Sequence, residues 1–192
     1  QVILIVADDL GVKDVGFMGS PFYSTPNLDR LASESVVFQN AYANAANCAP
    51  SRACLMTGQY PTRHGIYTVS TSERGNSATR KIIPTPNTLS LDADRPTLGD
   101  FFQAKGFKTG VFGKWHLGDN PTEQGFHVHK GGGKRGAPNG SYFSPYGLPY
   151  LEDGPIGENL TDRMTKESME FMEENKGNDF FLYLPYFAIH SP

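Results

Sequence analysis

Apolar runs alternate with polar and amphipathic stretches along this chain, and the alternation predicts strands separated by helices. Val2 to Val6 is an unbroken run of β-branched and aliphatic residues, which is typical of a strand buried on both faces of a parallel sheet. Val36 to Phe38 predicts a short second strand, and Lys108 to Phe112 predicts a third. Residues that favour helices or turns separate these runs.

Another apolar run, Phe180 to Leu184, predicts a buried strand near the end of the sequence. We expect this strand to continue through Tyr186 and Phe187 to His190. Pro185 interrupts the run, and because proline cannot donate a hydrogen bond to a sheet, we expect an irregularity or an edge position there.

Four segments carry helix signals. Each has a capping residue or a proline at its start, or a glycine after its end. In chain order they are the segment that opens with Thr25 and Pro26, the segment from Cys48 to Gly58, Thr97 to Lys105, and Leu160 to Lys176. Together with the strands they favour an α/β fold, in which a mostly parallel central sheet is flanked by helices and joined by right-handed crossovers.

Length and composition narrow the class of protein. The 192 residues suffice for one domain with a substantial core, and the 21 glycines and 14 prolines predict long loops, which we place at residues 68–96 and 125–150. A net charge of −3 with interspersed signs argues against a nucleic-acid binder, and two cysteines cannot form a disulfide framework. No signal peptide or membrane span is recognisable, and we expect that both ends are cut.

Two adjacent carboxylates, Asp8 and Asp9, follow the first predicted strand. In open α/β sheets ligands bind beyond the carboxyl ends of the strands. Adjacent carboxylates repel each other, so a hard divalent cation is a natural partner for them. A solvated Asp-Asp turn is the alternative interpretation.

The segment around Cys48 combines a reactive side chain, a cation and a helix start. Pro50 suits the first helical position and Gly58 suits a left-handed stop. Arg52 follows Cys48 by about one helical turn, so its guanidinium can hold an anion near the Cys48 side chain. A buried structural thiol is the alternative. A pair with Cys54 is weaker, because six residues along a helix leave the two side chains facing apart.

Lys114, Trp115 and His116 follow the third predicted strand. If strand geometry persists there, Lys114 and His116 share one face while Trp115 packs away. These residues, the two carboxylates and His190 all come after predicted strands, so we expect them to meet at one edge of the sheet. By itself, His190 is only a histidine at a strand end.

A glycine-rich run with two bases, Gly131 to Arg135, is compatible with an anion cradle. We find no strand pattern before this run and no helix pattern after it, so it is not a P-loop.

These segments carry a family resemblance. Residues Cys48 to Gly58 resemble the sulfatase signature, Cys-x-Pro-Ser-Arg followed by Leu-x-Thr-Gly, at every fixed position. Gly113 to Gly118 is similar to a second sulfatase signature, and His190-Ser191-Pro192 is similar to a substrate-contacting segment of the family. The chain is identified as a member of the formylglycine-dependent, arylsulfatase-like enzymes of the alkaline phosphatase superfamily. Because sulfatases are considerably longer, residues 1–192 resemble the N-terminal part of a sulfatase catalytic domain, an alkaline phosphatase-like fold truncated at the C-terminus.

The resemblance implies a sulfuric ester hydrolase. In the family a maturation enzyme converts the signature cysteine, here Cys48, to formylglycine, whose hydrate attacks the sulfate ester. Calcium is bound by the paired carboxylates, here Asp8 and Asp9, together with the group at position 48. Sulfatases complete this site with a further Asp and Asn, and they add a second Lys; we expect all three beyond residue 192.

The resemblance also assigns roles to the remaining residues. Arg52 and Lys114 balance the charge of the sulfate, His116 is the base that releases it, and His190 contacts the sulfate or the leaving oxygen. The implied partner is a sulfated small molecule or glycan, with aryl sulfates and sulfolipids both open. The implied location is secreted, periplasmic or lysosomal.

Two other functions stay open on the sequence. A phosphonate or phosphate diester hydrolase of the same superfamily can carry the same cysteine motif. A non-catalytic binding protein, or a catalytically incomplete binding fragment, is the other alternative, although decay would be expected to alter Cys48, Arg52 or Lys114 first.

Overall fold

We describe the protein from a computed structural model that describes residues 1–191. Pro192, the last residue of the third sequence match, lies outside the described residues. The strands are β1 (Val2–Val6), β2 (Lys108–Phe112), β3 (Val128–Lys130) and β4 (Phe180–Pro185). The helices are α1 (Pro26–Ser33), α2 (Cys48–Thr57), the single turn α3 (Pro61–His64), α4 (Leu98–Ala104) and α5 (Leu160–Glu174).

The strands form one sheet in the order β1-β4-β2-β3, and every described pair is parallel. This arrangement confirms the predicted parallel α/β sheet. The last strand lies between the first and the second, so the carboxyl ends of β1, β4 and β2 are neighbours at one edge. That edge is where ligands bind in open α/β sheets.

Apolar side chains cover both faces of the sheet. Successive residues of β4 alternate between the faces, with Phe181 and Tyr183 in one layer and Leu182 and Leu184 in the other. The first layer includes Ala49, Ala53 and Met56 of α2 with Trp115 and Phe126. The second layer includes Leu160, Met164 and Phe171 of α5 with Tyr146. These three residues of α5 lie on one side of the helix, as in an amphipathic helix that packs on a sheet.

Two predictions about strands are wrong. Within residues 1–191, β1 is not buried on both faces: it lies at the edge of the four-stranded sheet, and its side chains Ile3 and Ile5 are 47% and 59% exposed. Val36 to Phe38 forms no strand in the described chain. Phe38 is 79% exposed, and the segment lies beside α1 along an apolar groove instead of pairing with the sheet.

The end of β4 also differs from the prediction. The strand stops at Pro185 and does not continue to His190. Pro185 does not lie at a sheet edge, because β4 pairs with both β1 and β2. The missing N–H of proline is tolerated because it falls on the last residue of the strand.

Sequence analysis missed β3. Its three residues fall within residues 125–150, which we expected to be loop, and they pair with β2 from Gly110 to Phe112. Val128, His129 and Lys130 are too few and too polar to make a strand pattern on their own, so this strand depends on its partner. The glycine-rich run therefore does follow a strand, although no helix begins after it.

The helices agree more closely with the predictions. Thr97 caps α4 and forms a capping box with Asp100. α5 begins at Leu160 as predicted and ends at Glu174, two residues before Lys176. Among the described residues, none of the helices combines the length and the apolar character that crossing a bilayer would require.

Candidate active site

Backbone hydrogen bonds join the segments that follow β1, β2 and β4. The N–H of Asp8 donates to Ala188 O at 2.9 Å, and the N–H of Ile189 donates to Asp8 O at 2.8 Å. The N–H of Lys114 donates to Pro185 O at 2.8 Å. The three strand ends that sequence analysis selected for their polar residues are thus held together as one surface.

Asp8 is the centre of a buried ion cluster. Its Oδ1 accepts a hydrogen bond from Arg52 Nη2 at 3.0 Å, and its Oδ2 accepts one from Lys114 Nζ. Burial raises the pKa of Asp8, but the hydrogen bond from Lys114 and the charge of Arg52 outweigh it, so this pKa lies below its ordinary value. Asp8 is therefore ionised at neutral pH. One negative and two positive groups leave one positive charge in excess, which suits an anion.

Arg52 is held by two further contacts. Its Nη1 donates to Lys114 O at 2.8 Å and to the hydroxyl of Tyr183 at 3.2 Å. Sequence analysis did not select Tyr183, although the alternation of β4 would have placed this tyrosine on the face that α2 covers. Because Arg52 is buried and bonded to three groups, its charge is fixed in place rather than free to move with a ligand.

Cys48 is the first residue of α2, after the N-cap residue Asn47. Pro50 is therefore the third helical residue and not the first, contrary to the prediction. Proline is accepted there because the first four N–H groups of a helix have no intrahelical partner. The N–H of Ser51 already donates to Asn47 O at 3.0 Å, which leaves the N–H groups of Cys48 and Ala49 for a ligand. The helix stops at Gly58 with a φ of 65°, as predicted.

A cleft of about 280 Å³ opens at this edge, and Cys48, Asp8, Asp9 and Arg52 all line it. Cys48 is half-buried and forms no disulfide. The cleft thus combines a free thiol, a helix N-terminus and a fixed cation. This combination can bind a tetrahedral anion through charge and backbone N–H groups.

Asp9 faces outward beside Asp8, with its side chain 61% exposed. His190 Nε2 lies 3.9 Å from Asp9 Oδ2, and one ligating atom from each of Asp8, Asp9 and His190 lies within 4.8 Å of the others. This group does not include Cys48 Sγ. Carboxylates suit a hard cation, but calcium takes about six to eight oxygens, so these residues fit part of a calcium site.

The Gly113 to Gly118 segment does not continue the strand geometry of β2. Gly113 has a φ of 121° and His116 a φ of 60°, so the strand premise that we used to place Lys114 and His116 on one face was wrong. A Cβ at Gly113 would overlap Pro185 O. Trp115 nevertheless packs away into the core, as expected.

His116 lies in a buried and positively charged environment. Burial, and then the charges of Lys114 and Arg52, lower the pKa of His116 to about 4. Its Nδ1 is buried and has no hydrogen-bond partner among the described residues. His116 is therefore neutral at neutral pH and can accept a proton.

The loop that follows β3 supports His116. The N–H of His116 donates to Gly133 O at 2.8 Å. Gly136 lies directly against the imidazole: a Cβ at this position would be 2.7 Å from Nδ1 and 2.9 Å from Nε2 of His116. Sequence analysis could not find this contact, because nothing in the spacing links Gly136 to His116.

The resemblance to sulfatases implies that His116 is a base, and on that basis we expect Gly136→Ala to displace the His116 ring and to lower kcat of the whole protein by about 10- to 100-fold, with a smaller change in KM. Steady-state kinetics with an aryl sulfate measures this. Gly140→Ala is the control for strain in the same loop: its φ of 86° disfavours alanine, but a Cβ there meets no atom within 4 Å and does not contact His116. Equal losses of kcat in the two variants would contradict a specific contact with His116.

The same loop holds the backbone of His190. The hydroxyl of Tyr142 lies 2.8 Å from Phe187 O and 2.6 Å from His190 O. Burial raises the pKa of Tyr142 to about 12, and the charges of Asp8 and Asp9 add to this effect. The hydroxyl therefore keeps the proton that it donates. Sequence analysis missed Tyr142, which lies in a loop with no periodic pattern.

Comparisons with known proteins agree on one family. The family model described as Sulfatase matches residues 1–192. The chain is 34% identical to human N-acetylgalactosamine-6-sulfatase over 216 residues, covering 100% of this chain and 40% of that protein. It is 36% identical to bovine arylsulfatase A over 163 residues, covering 84% of this chain and 27% of that protein.

A solved structure is also similar to this chain over its whole length. The crystal structure of Ps i-CgsB in complex with k-i-k-neocarrahexaose superposes with a TM-score of 0.79 and 32% identity, over 100% of this chain and 45% of that one. The chain spans about two fifths of the length of the N-acetylgalactosamine-6-sulfatases that it matches.

Proposed function

The chain belongs to the sulfatase family, and from this membership we propose that the whole protein hydrolyses a sulfate ester with a nucleophile made from Cys48 by conversion to formylglycine. The observation that carries the proposal is the cleft in which Cys48, at the start of α2, adjoins Asp8, Asp9 and Arg52. A sulfate ester presents a tetrahedral anion, which matches the excess positive charge of the buried cluster and the free N–H groups of the helix.

Hydrated formylglycine would supply two hydroxyl groups, one to attack sulfur and one to be deprotonated when sulfate leaves. The chain's own residues account for the rest. Arg52 and Lys114, both held on Asp8, keep positive charge fixed at the sulfate. His116 is neutral and takes the proton, while His190, on the side of Asp9, contacts the sulfate or protonates the leaving oxygen.

Asp8 and Asp9 would hold a calcium ion, which when bound would draw electrons from the sulfuryl oxygens. The described residues offer too few oxygens for a full calcium site. We therefore propose that further ligands come from the part of the protein beyond residue 192.

Asp9→Asn is expected to weaken calcium binding by the whole protein at least about tenfold, because it removes a full charge from the cation site. Isothermal titration calorimetry with calcium measures this. Asp94→Asn, at an exposed carboxylate outside the cleft, is the control. Unchanged affinity in Asp9→Asn would exclude Asp9 as a ligand.

The names of the relatives favour a sulfated glycan as the substrate class. One relative is named for a sulfated N-acetylgalactosamine, and Ps i-CgsB was solved with a neocarrahexaose. A formylglycine-generating enzyme is the second proposed partner. A secreted, periplasmic or lysosomal location remains the expectation from the family.

Turnover of the whole protein tests the function. We expect 4-nitrophenyl sulfate and a sulfated disaccharide to be hydrolysed faster than bis(4-nitrophenyl) phosphate. Faster turnover of the phosphate diester would favour the diester hydrolase, and binding without turnover of any ester would favour the non-catalytic protein. Peptide mass spectrometry of native material would then show whether residue 48 is formylglycine.

A further inference from the structure

A groove runs along the protein beside the active site, and no role has been assigned to it so far. It consists of two clefts that share Tyr150, with volumes of about 530 and 470 Å³. We call it the Tyr150 groove. The larger cleft is lined by Asp119, Gly133, Lys134, Arg135 and Tyr150, and the smaller by His129, Lys130, Glu152, Arg163 and Tyr150.

The larger cleft adjoins His116. Gly133 O accepts the N–H of His116, and Gly136 packs against its imidazole. Lys134 and Arg135 lie between these two glycines in the chain, and both are exposed. Their backbone is therefore fixed at the rim of the active site while their charged side chains face solvent. The glycines of this run allow the backbone to pack closely against His116, and the side chains of Lys134 and Arg135 can bind a ligand.

The two cations of the larger cleft, Lys134 and Arg135, form only weak interactions with other residues. Lys134 Nζ lies 3.5 Å from Asp119 Oδ1, but both side chains are more than 70% exposed, so water weakens this pair. Arg135 donates to Asn139 Oδ1 at 2.8 Å, which is a neutral partner. In the smaller cleft the cations already have acidic partners. Lys130 pairs with Glu167, and Arg163 with Glu158 and Glu167.

Tyr150 offers an aromatic surface between the clefts. It is 55% exposed, and its ring lies against that of His129 at a centroid distance of 4.1 Å. Its backbone has a φ of 60°, a conformation that is costly for a residue with a side chain and that clusters at binding sites. An exposed, supported aromatic face can pack against the C–H face of a sugar ring.

We propose that the Tyr150 groove is a subsite for a second, anionic residue of a sulfated oligosaccharide. This inference rests on the proposed sulfatase function and narrows its substrate to a glycan of at least two residues. The ester under attack lies at Cys48, the neighbouring sugar packs on Tyr150, and its sulfate or carboxylate binds Lys134 and Arg135.

Kinetics of the whole protein with four substrates tests the subsite. The substrates are 4-nitrophenyl sulfate and three disaccharides that share one sulfate ester and carry a sulfated, a carboxylated or a neutral second residue. We expect the K134A/R135A double variant to lose about tenfold more kcat/KM on the two anionic disaccharides than on the other substrates, mainly through KM. The sulfated and carboxylated disaccharides together identify which anion the groove prefers. Salt should reduce the advantage of the anionic disaccharides.

Tyr150→Ala should weaken binding of all three disaccharides relative to 4-nitrophenyl sulfate, and Tyr150→Phe should restore it. The control is K105A/K176A, since these exposed cations lie just before β2 and β4, at the opposite edge of the sheet.

Equal losses on all four substrates in K134A/R135A would overturn the subsite. So would binding of an oligonucleotide as tight as that of the sulfated disaccharide, because it would mark a general anion surface. If the unaltered protein hydrolyses none of the sulfate esters, the proposed function fails, and this result is distinct from hydrolysis of 4-nitrophenyl sulfate without any preference for a second anion.

Discussion

Cys48→Ala in the whole protein should reduce sulfate ester turnover by about 10⁴-fold or more, the scale seen when a covalent nucleophile is removed. The cleft retains its helix N-terminus and its buried cations in this variant, so binding of the ester should survive the substitution. Cys48→Ser should be equally inactive in steady state. A serine sulfate ester has no second hydroxyl from which a proton can be removed to expel sulfate.

Cys54→Ala is the matched control for both variants. Cys54 is buried six residues further along α2, with its Sγ 3.4 Å from His64 Nε2, and burial raises the pKa of its thiol. It is therefore an inert packing group, and its loss should change stability more than turnover. Full turnover in Cys48→Ala, or loss of turnover only in Cys54→Ala, would remove Cys48 from the mechanism.

Strands were predicted best where the sequence pattern has clear ends. β2 matches its prediction at both ends, because Gly106 and Gly113 limit a short segment that contains the strand-favouring residues Thr109, Val111 and Phe112. β1 was located correctly, but its burial among the described residues was not, because an unbroken apolar run indicates a strand without indicating what covers its two faces. Two short segments were predicted wrongly: β3 was missed, and the strand predicted at Val36 to Phe38 does not form. In a three-residue segment, pairing with a partner decides the structure and composition does not.

The same limit applies to the candidate site. Asp8, Cys48 and Lys114 could be selected because each follows a strand or begins a helix within one local motif. Gly136 and Tyr142 could not, because they act through tertiary contacts with residues that lie 20 and more than 40 positions away. Motifs therefore identify the candidate site residues, while the loop residues that contact them are visible only in the fold.

The two histidines should act on different halves of the reaction. His116 is half-buried and neutral at neutral pH, so its ring can accept the proton whose removal releases sulfate. His190 lies beside Asp9, nearer to solvent. We expect His116→Ala to leave a first-turnover burst of released alcohol and then to stop with sulfate retained on residue 48. His190→Ala should slow the burst itself by about 10²- to 10⁴-fold, the usual range for general acid–base groups.

Rapid-quench kinetics with aryl sulfates of graded leaving-group pKa separates the two roles. The loss in His190→Ala should grow as the leaving group becomes poorer, because a poor leaving group needs the proton most, whereas the burst in His116→Ala should follow the same leaving-group trend as the unaltered enzyme. His64→Ala is the control, since His64 is buried against Cys54 and away from the cleft. A burst that disappears in His116→Ala and persists in His190→Ala would reverse the two assignments, because the residue needed before the ester bond breaks would then be His116.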